Sequence, residues 1–219
     1  MTASTSDQRL RITEIFYSLQ GESRTVGLPT VFVRLTGCPL RCGYCDTTYA
    51  FQGGQWMSLE EIVHEVGQHS PRYVTVTGGE PLAQKGCLLL LEQLCDAGYD
   101  VSLETSGALS VADVDARVMK VMDLKTPSSG EQGKNLLDNI QHLTSHDAVK
   151  FVIADRADYD WSVGRINEYD LTHKCEISFS PVHNSLSPKE LAEWILQDGL
   201  QVRMQVQLHK YLWGDEPGH

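Results

Sequence analysis

Apolar and polar positions alternate along the chain in two rhythms. Thr30–Leu35 (TVFVRL) is a short β-branched run and predicts a strand. Ser58–Gln68 predicts a helix: Ser58 and Glu61 form a capping box, and Leu59, Ile62, Val63 and Val66 give the i, i+3, i+4, i+7 stripe. Tyr73–Thr77 predicts the next strand and Cys87–Ala97 the next helix, stopped by Gly98. Asp100–Glu104, Val118–Leu124, Val149–Ala154, Glu176–Ser180 and Gln201–Gln205 continue the strand series. Between the last two, Ser187 as N-cap, Pro188 in the first turn and Glu190 closing a box predict a further helix. Strands alternating with helices imply an α/β fold with a parallel sheet. The 219 residues fall short of the roughly 250 of a full eight-fold barrel. One domain over 1–219, an incomplete barrel of about six βα units, is therefore expected.

The unusual polar segments all fall after predicted strands. Cys38–Cys45 follows the first, Thr77–Pro81 (TGGEP) the second and Glu104–Gly107 (ETSG) the third. Asp123–Thr126 (DLKT), Ser180–Val182 (SPV) and His209–Lys210 come at or just after later ones. In barrels and open α/β sheets that carboxyl-terminal edge is where active sites are built.

Charge and composition narrow the function. Lys plus Arg number 18 against 29 Asp plus Glu, a formal charge of −11, which argues against nucleic-acid binding. The longest apolar run, Cys87–Leu91, is far too short to span a bilayer. The polar Met1–Leu10 lacks the pattern of a signal peptide.

Six cysteines without an export pattern do not read as a disulfide scaffold. Cys38, Cys42 and Cys45 form a C-x3-C-x2-C cluster, whereas Cys87, Cys95 and Cys175 sit in apolar surroundings and read as inert buried thiols. Three thiolates on one loop suit three corners of a 4Fe-4S cluster with the fourth iron left open. Structural zinc is the alternative, but it needs a fourth protein ligand that neither His64 nor His69 offers at a convincing spacing. Tyr44 beside Cys45 would shield such a cluster from water.

The cysteine spacing, with an aromatic before the third Cys, resembles the radical S-adenosylmethionine (SAM) superfamily, and TGGEP resembles its "GGE" cofactor turn. Leu19-Gln20-Gly21-Glu22, then Pro29, Phe32, Arg34, Gly37, Cys45-Asp46-Thr47, ETSG, DLKTP and the terminal QLHKYLW extend the likeness to the 7-carboxy-7-deazaguanine synthase family over most of the chain. The resemblance implies a radical SAM barrel and a carbon–nitrogen lyase. That enzyme contracts the ring of 6-carboxy-5,6,7,8-tetrahydropterin to 7-carboxy-7-deazaguanine, with loss of ammonia, in queuosine and other 7-deazapurine biosynthesis. It further implies a 4Fe-4S cluster, SAM and Mg2+ as cofactors, a flavodoxin-like electron donor, a homodimer and a cytoplasmic location.

Carried over by position, Cys38, Cys42 and Cys45 hold the cluster and Thr47 the magnesium. Leu19, Gln20, Gly21, Glu22, Arg34, Thr77 and His209 meet the substrate, with Arg34 on its carboxylate. Gly79, Glu80, Ser106, Asp123, Leu124 and Lys125 meet the cofactor, Glu80 as acceptor for its ammonium. No side chain is expected to carry the radical chemistry. Substrate segments are expected at about 10–29 and 207–219, and Arg41 is expected to offer a basic contact to an acidic donor protein.

Departures from the family pattern are Ser23, where LQGE commonly continues with glycine, the DLKTP form at 123–127, and the tail Gly214–His219. A glycyl-radical activase and a non-catalytic metal module remain as alternatives. The sequence names neither the reductant nor the product's destination.

Overall fold

The computed structural model describes residues 9–214, 216 and 218; most of the polar Met1–Leu10 segment lies outside the described residues. Strand β1 (Arg9–Leu19) runs antiparallel to β2 (Pro29–Leu35) and to the short β3 (Gln55–Ser58). From β2 a parallel series follows: β4 (Tyr73–Gly78), β5 (Asp100–Thr105), β6 (Met119–Asp123), β7 (Ala148–Ile153), β8 (Glu176–Pro181) and β9 (Arg203–Met204). The single sheet has the order β3-β1-β2-β4-β5-β6-β7-β8-β9, open between its two ends. This is the α/β, mostly parallel architecture that the strand–helix alternation implied.

Helices cover the outer face. Helix α1 (Leu59–Gly67) starts with the expected capping box: Ser58 Oγ accepts from Glu61 N at 3.2 Å, and Glu61 accepts from Ser58 N at 2.6 Å. With α2 (Cys87–Asp96) it buries Leu59, Ile62, Val66, Leu90, Leu91 and Leu94 against Leu10, Val31, Val33, Val74, Val76 and Leu103. A second core joins Val149, Phe151, Ile153, Ile177 and Phe179 to α3 (Arg156–Tyr169) and α4 (Pro188–Asp198) through Tyr159, Ile166, Leu191 and Ile195. Each such side chain contributes about 1.5–3 kcal/mol when fully buried. A last helix, α5 (Leu208–Trp213), buries none of its side chains. No described helix is long and apolar enough to cross a membrane.

Several expectations need correction. The βα repeat is irregular: β5 to β6 and β6 to β7 are joined without α-helices, the latter through short 3-10 turns such as Pro127–Ser129 and Leu137–His142. The first part of the segment expected at about 10–29 is a strand, hidden in the sequence because a bulge between Ile12 and Glu14 breaks its alternation. Helix α3 escapes the pattern because its apolar residues are dispersed; it starts on an Asp155 cap accepting from Asp158 N at 2.9 Å. Ser187 precedes α4, but its side chain makes no capping bond. The last strand shrinks to two residues. Cys87 and Cys175 are buried as expected, whereas Cys95 is only partly so.

Candidate active site

The sheet curls around a cavity of about 760 Å³ lined from nearly every strand. Cys38, Cys42, Cys45, Thr47, Leu19, Gln20, Gly21, Glu22, Arg34, Thr77, Gly79, Ser106, Asp123, Lys125 and His209 all border it. Segments scattered over 190 residues of sequence thus meet: the parallel strands place their carboxyl ends together, and the antiparallel β1 brings the LQGE turn in from the opposite end of β2. Glu80 and Leu124 do not line the cavity.

The cysteine loop is pressed into place by glycines. A Cβ on Gly79 would lie 2.3 Å from Gly37 O and 2.7 Å from Cys38 Cβ, so only glycine lets the TGGEP turn approach. The Arg41 guanidinium donates to the carbonyls of Cys38 and Leu40 at 2.8 and 2.6 Å and stacks over Phe51. Arg41 is therefore engaged in holding this loop while remaining exposed at the surface. Leu40 N donates to Cys38 Sγ at 3.4 Å, a contact of the kind that tunes cluster potentials. Burial raises the pKa of Cys38 and Cys42, which Lys125 only partly offsets. Such thiols ionise readily only when a metal replaces the proton. Burial also pushes the Tyr44 phenol up to about 12, and its hydroxyl lies 3.4 Å from Thr126 Oγ1. Three thiols, free of disulfides and facing one cavity, fit an iron–sulfur cluster. Among the described residues no three His, Cys, Asp or Glu side chains gather closely enough to hold a single ion.

Glu80 is a correction. It is wholly buried and accepts from Leu82 N, Thr105 Oγ1, Ser106 N and Ser106 Oγ, tying the TGGEP turn to the end of β5. Its carboxylate is fully occupied by the protein and has no oxygen to offer an ammonium. Leu124 likewise lies in the second hydrophobic core, fully buried. Asp123 and Lys125 line the cavity. Lys125 Nζ donates to Asp123 Oδ2 at 2.8 Å, while Asp123 Oδ1 is buried with no protein partner. Burial alone would lower the Lys125 pKa, but Asp123 and the Cys42 thiol raise it overall.

On the LQGE turn, the Gln20 amide is engaged within the protein, donating to Thr75 Oγ1 at 3.0 Å and accepting from Glu22 N at 3.2 Å. Glu22 pairs with Lys150, and its second oxygen, Oε1, is buried without a partner. Ser23 takes the left-handed φ of 63°, a conformation that strains non-glycine residues by about 1–2 kcal/mol. It is steadied by Gln205 Oε1, which accepts from Ser23 N at 2.9 Å.

Residues the sequence reading passed over complete the wall. Glu14 stands opposite Arg34 across β1 and β2 and accepts from Arg34 Nε at 2.6 Å and from Tyr49 OH at 2.8 Å. Glu104 faces Thr77 at 3.5 Å; burial raises its pKa, against the pull of Lys150. A lysine amid the apolar β7 was the available signal for Lys150, and ETSG for Glu104. No local pattern marks Glu14.

Helix α5 closes one side. Leu208 N donates to Gly21 O at 3.1 Å, and the His209 ring packs on Gly21. Asp46 accepts from Thr47 Oγ1 at 2.8 Å and Gln207 Nε2 at 3.1 Å, and pairs with Lys210 at 3.4 Å. Burial lowers the His209 pKa, with Glu22 and Asp46 pulling the other way. Gly214, Glu216 and Gly218 of the tail border the cavity.

Comparisons with known proteins agree with this geometry. The model of the Radical SAM superfamily matches residues 32–127. A Chlorobaculum tepidum protein named 7-carboxy-7-deazaguanine synthase is 48% identical over 94% of this chain and 96% of its own. A Koribacter versatilis protein of the same name is 44% identical over 94% and 98%. The crystal structure of QueE from Escherichia coli shares the fold, with a TM-score of 0.76 at 22% identity, covering 92% of this chain and 95% of that one.

Proposed function

The chain belongs to the 7-carboxy-7-deazaguanine synthase family of radical SAM enzymes, and on that premise we propose that it converts 6-carboxy-5,6,7,8-tetrahydropterin to 7-carboxy-7-deazaguanine and ammonia. This places it in 7-deazapurine biosynthesis, with residues 1–219 acting as one catalytic domain. The observation that carries the reading is one cavity lined both by three thiols and by partnerless or charge-paired groups suited to a small polar heterocycle.

A cluster held by these thiols, together with SAM, would supply the radical chemistry of hydrogen-atom abstraction. The protein places and shields. Cys38, Cys42 and Cys45 hold the cluster on a loop clamped by Arg41 and Gly79. Asp123 Oδ1 awaits a hydroxyl donor such as a ribose provides, and Ser106 and Lys125 flank it in the cavity. Glu80 acts at one remove, fixing Ser106 and the turn that carries Gly79. Glu22 Oε1 accepts from ring N–H groups, and Arg34, steered by Glu14, meets the substrate carboxylate. Leu19, Gln20 and Gly21 form the floor, with Thr77 and His209 at the sides. Helix α5 limits water access, which a reactive alkyl radical requires.

Mg2+ belongs to this proposal: the Thr47 hydroxyl gives a hard oxygen at the cavity margin, with substrate oxygens and waters as the other ligands. A homodimer in the cytoplasm, reduced by a flavodoxin-type protein, is proposed on family membership; the charge of −11 means that an acidic donor needs a local basic patch.

The test is anaerobic reconstitution with iron and sulfide, followed by reaction with SAM, a reductant and the carboxytetrahydropterin. Deazaguanine product and ammonia in equal amounts are expected from the wild type, and neither deoxyadenosine nor product from Cys42→Ala. Deoxyadenosine release without any deazapurine would overturn the substrate assignment, and full activity in Cys42→Ala the cluster assignment.

A further inference from the structure

Strand β7 alternates between two environments. Val149, Phe151 and Ile153 point into the helix-covered core, while Lys150 and Val152 face the cavity. A lysine in such a strand needs a partner, because a buried ammonium is costly alone. Its partner, Glu22, comes from 128 residues earlier, and both side chains are nearly buried. Burial by itself would lower the Lys150 pKa, but Glu22, Asp123 and Glu104 raise it overall, so Lys150 stays cationic.

The pair is asymmetric. Lys150 Nζ binds Glu22 Oε2, whereas Oε1 is buried and has no protein partner. The backbone that carries this carboxylate is fixed, since Glu22 N donates to Gln20 Oε1 and Gln20 in turn donates to Thr75. Native proteins seldom leave a buried carboxylate oxygen unpaired unless something else satisfies it. Oε1 therefore stands, on a residue that borders the cavity, as a buried anionic acceptor that no protein donor satisfies.

We propose that Lys150 is a positioning residue: by binding Oε2 it aims Glu22 Oε1 at paired N–H donors on the edge of the substrate heterocycle. An amino-pyrimidinone edge, with an exocyclic amine beside a ring N–H, is the chemical class that such an acceptor selects. The identity of the heterocycle rests on the function proposed above. The role of Lys150 in ordering Glu22 rests on the geometry of the pair.

The experiment uses reconstituted enzyme as wild type, Lys150→Arg, Lys150→Met and the double variant Glu22→Gln/Lys150→Met. Three quantities are read: kcat and KM for the carboxytetrahydropterin, its Kd by fluorescence titration, and reductant-driven SAM cleavage without substrate. Lys150→Met is expected to raise KM and Kd about 10- to 100-fold, as when a buried hydrogen bond to a charged group is lost. Its substrate-free SAM cleavage is expected to fall by a smaller factor than its affinity for the pterin. Lys150→Arg is expected to recover substrate affinity to within about fivefold. Should Lys150→Met not fold, the double variant, which carries no unpaired charge, is expected to fold and still bind substrate at least 10-fold more weakly. Unchanged KM and Kd in whichever of the two folds would overturn the proposal, as would a fall in kcat alone. A wild type that binds the pterin but makes no deazaguanine would overturn the proposed reaction and leave the binding comparison readable.

Discussion

A Cβ on residue 21 would lie 2.3 Å from Nδ1 of His209. The glycine of LQGE is thus the seat on which the C-terminal histidine rests. Gly21→Ala is expected to push the His209 ring aside rather than break the fold, because a side chain yields more easily than backbone. Thermal stability should change by less than about 1 kcal/mol, while turnover falls at least tenfold. Paired melting and activity measurements check this; a variant that keeps wild-type turnover would remove His209 from the site.

Glu80 gives the opposite signature. Removing its carboxylate leaves the amides of Leu82 and Ser106 and the hydroxyls of Thr105 and Ser106 without their acceptor. Glu80→Ala is expected to cost at least about 4 kcal/mol, each of the four unsatisfied donors costing about 1 kcal/mol or more. That corresponds to a melting temperature lower by about 10 °C for a chain of this size. The loss should be equally large with and without added SAM. If the variant melts normally and only SAM binding suffers, the carboxylate is a ligand after all.

His209 makes stability depend on pH. Burial holds its pKa below the ordinary imidazole value of about 6.5, so the folded protein binds fewer protons there than the unfolded chain. Its contribution is fully present above pH 6.5 and is lost as pH falls through the folded-state pKa. Urea midpoints should therefore drop between pH 7.5 and pH 5.5, and His209→Gln should remove part of that drop. Equal slopes for the two proteins would contradict the assignment.

Thr47 carries the metal prediction. Thr47→Ala keeps the fold, since its hydroxyl contacts only a neighbouring carboxylate in the described hydrogen bonds. Turnover is expected to fall about tenfold and to need more Mg2+ for half-saturation. Titration of activity with Mg2+ after chelator treatment measures this, and an unchanged titration curve would detach Thr47 from the metal.

Much of this architecture is legible in the sequence because local rules and burial agree. The Ser58–Glu61 box, the stripe of α1 and the β-branched runs of β2 and β4 are satisfied by the same packing. The cavity is legible because strand ends converge, so motifs far apart in sequence need no alignment to be grouped. What escapes are relations between distant residues. Glu80 looks like a ligand until its donors from β5 are seen, and Glu14 looks like any surface acid until Arg34 lies across from it. The strand β1 hides behind its own bulge, and α3 behind dispersed apolar residues anchored by Asp155 and Asp158.

Helix α5 has no buried side chain, yet it forms a wall of the reaction chamber. Its described anchors are polar, at Gly21 and at Asp46. This side of the chamber is thus walled without drawing on either hydrophobic core. Side-chain packing holds the sheet and its covering helices, whereas the described contacts of this wall depend on hydrogen bonds and charge.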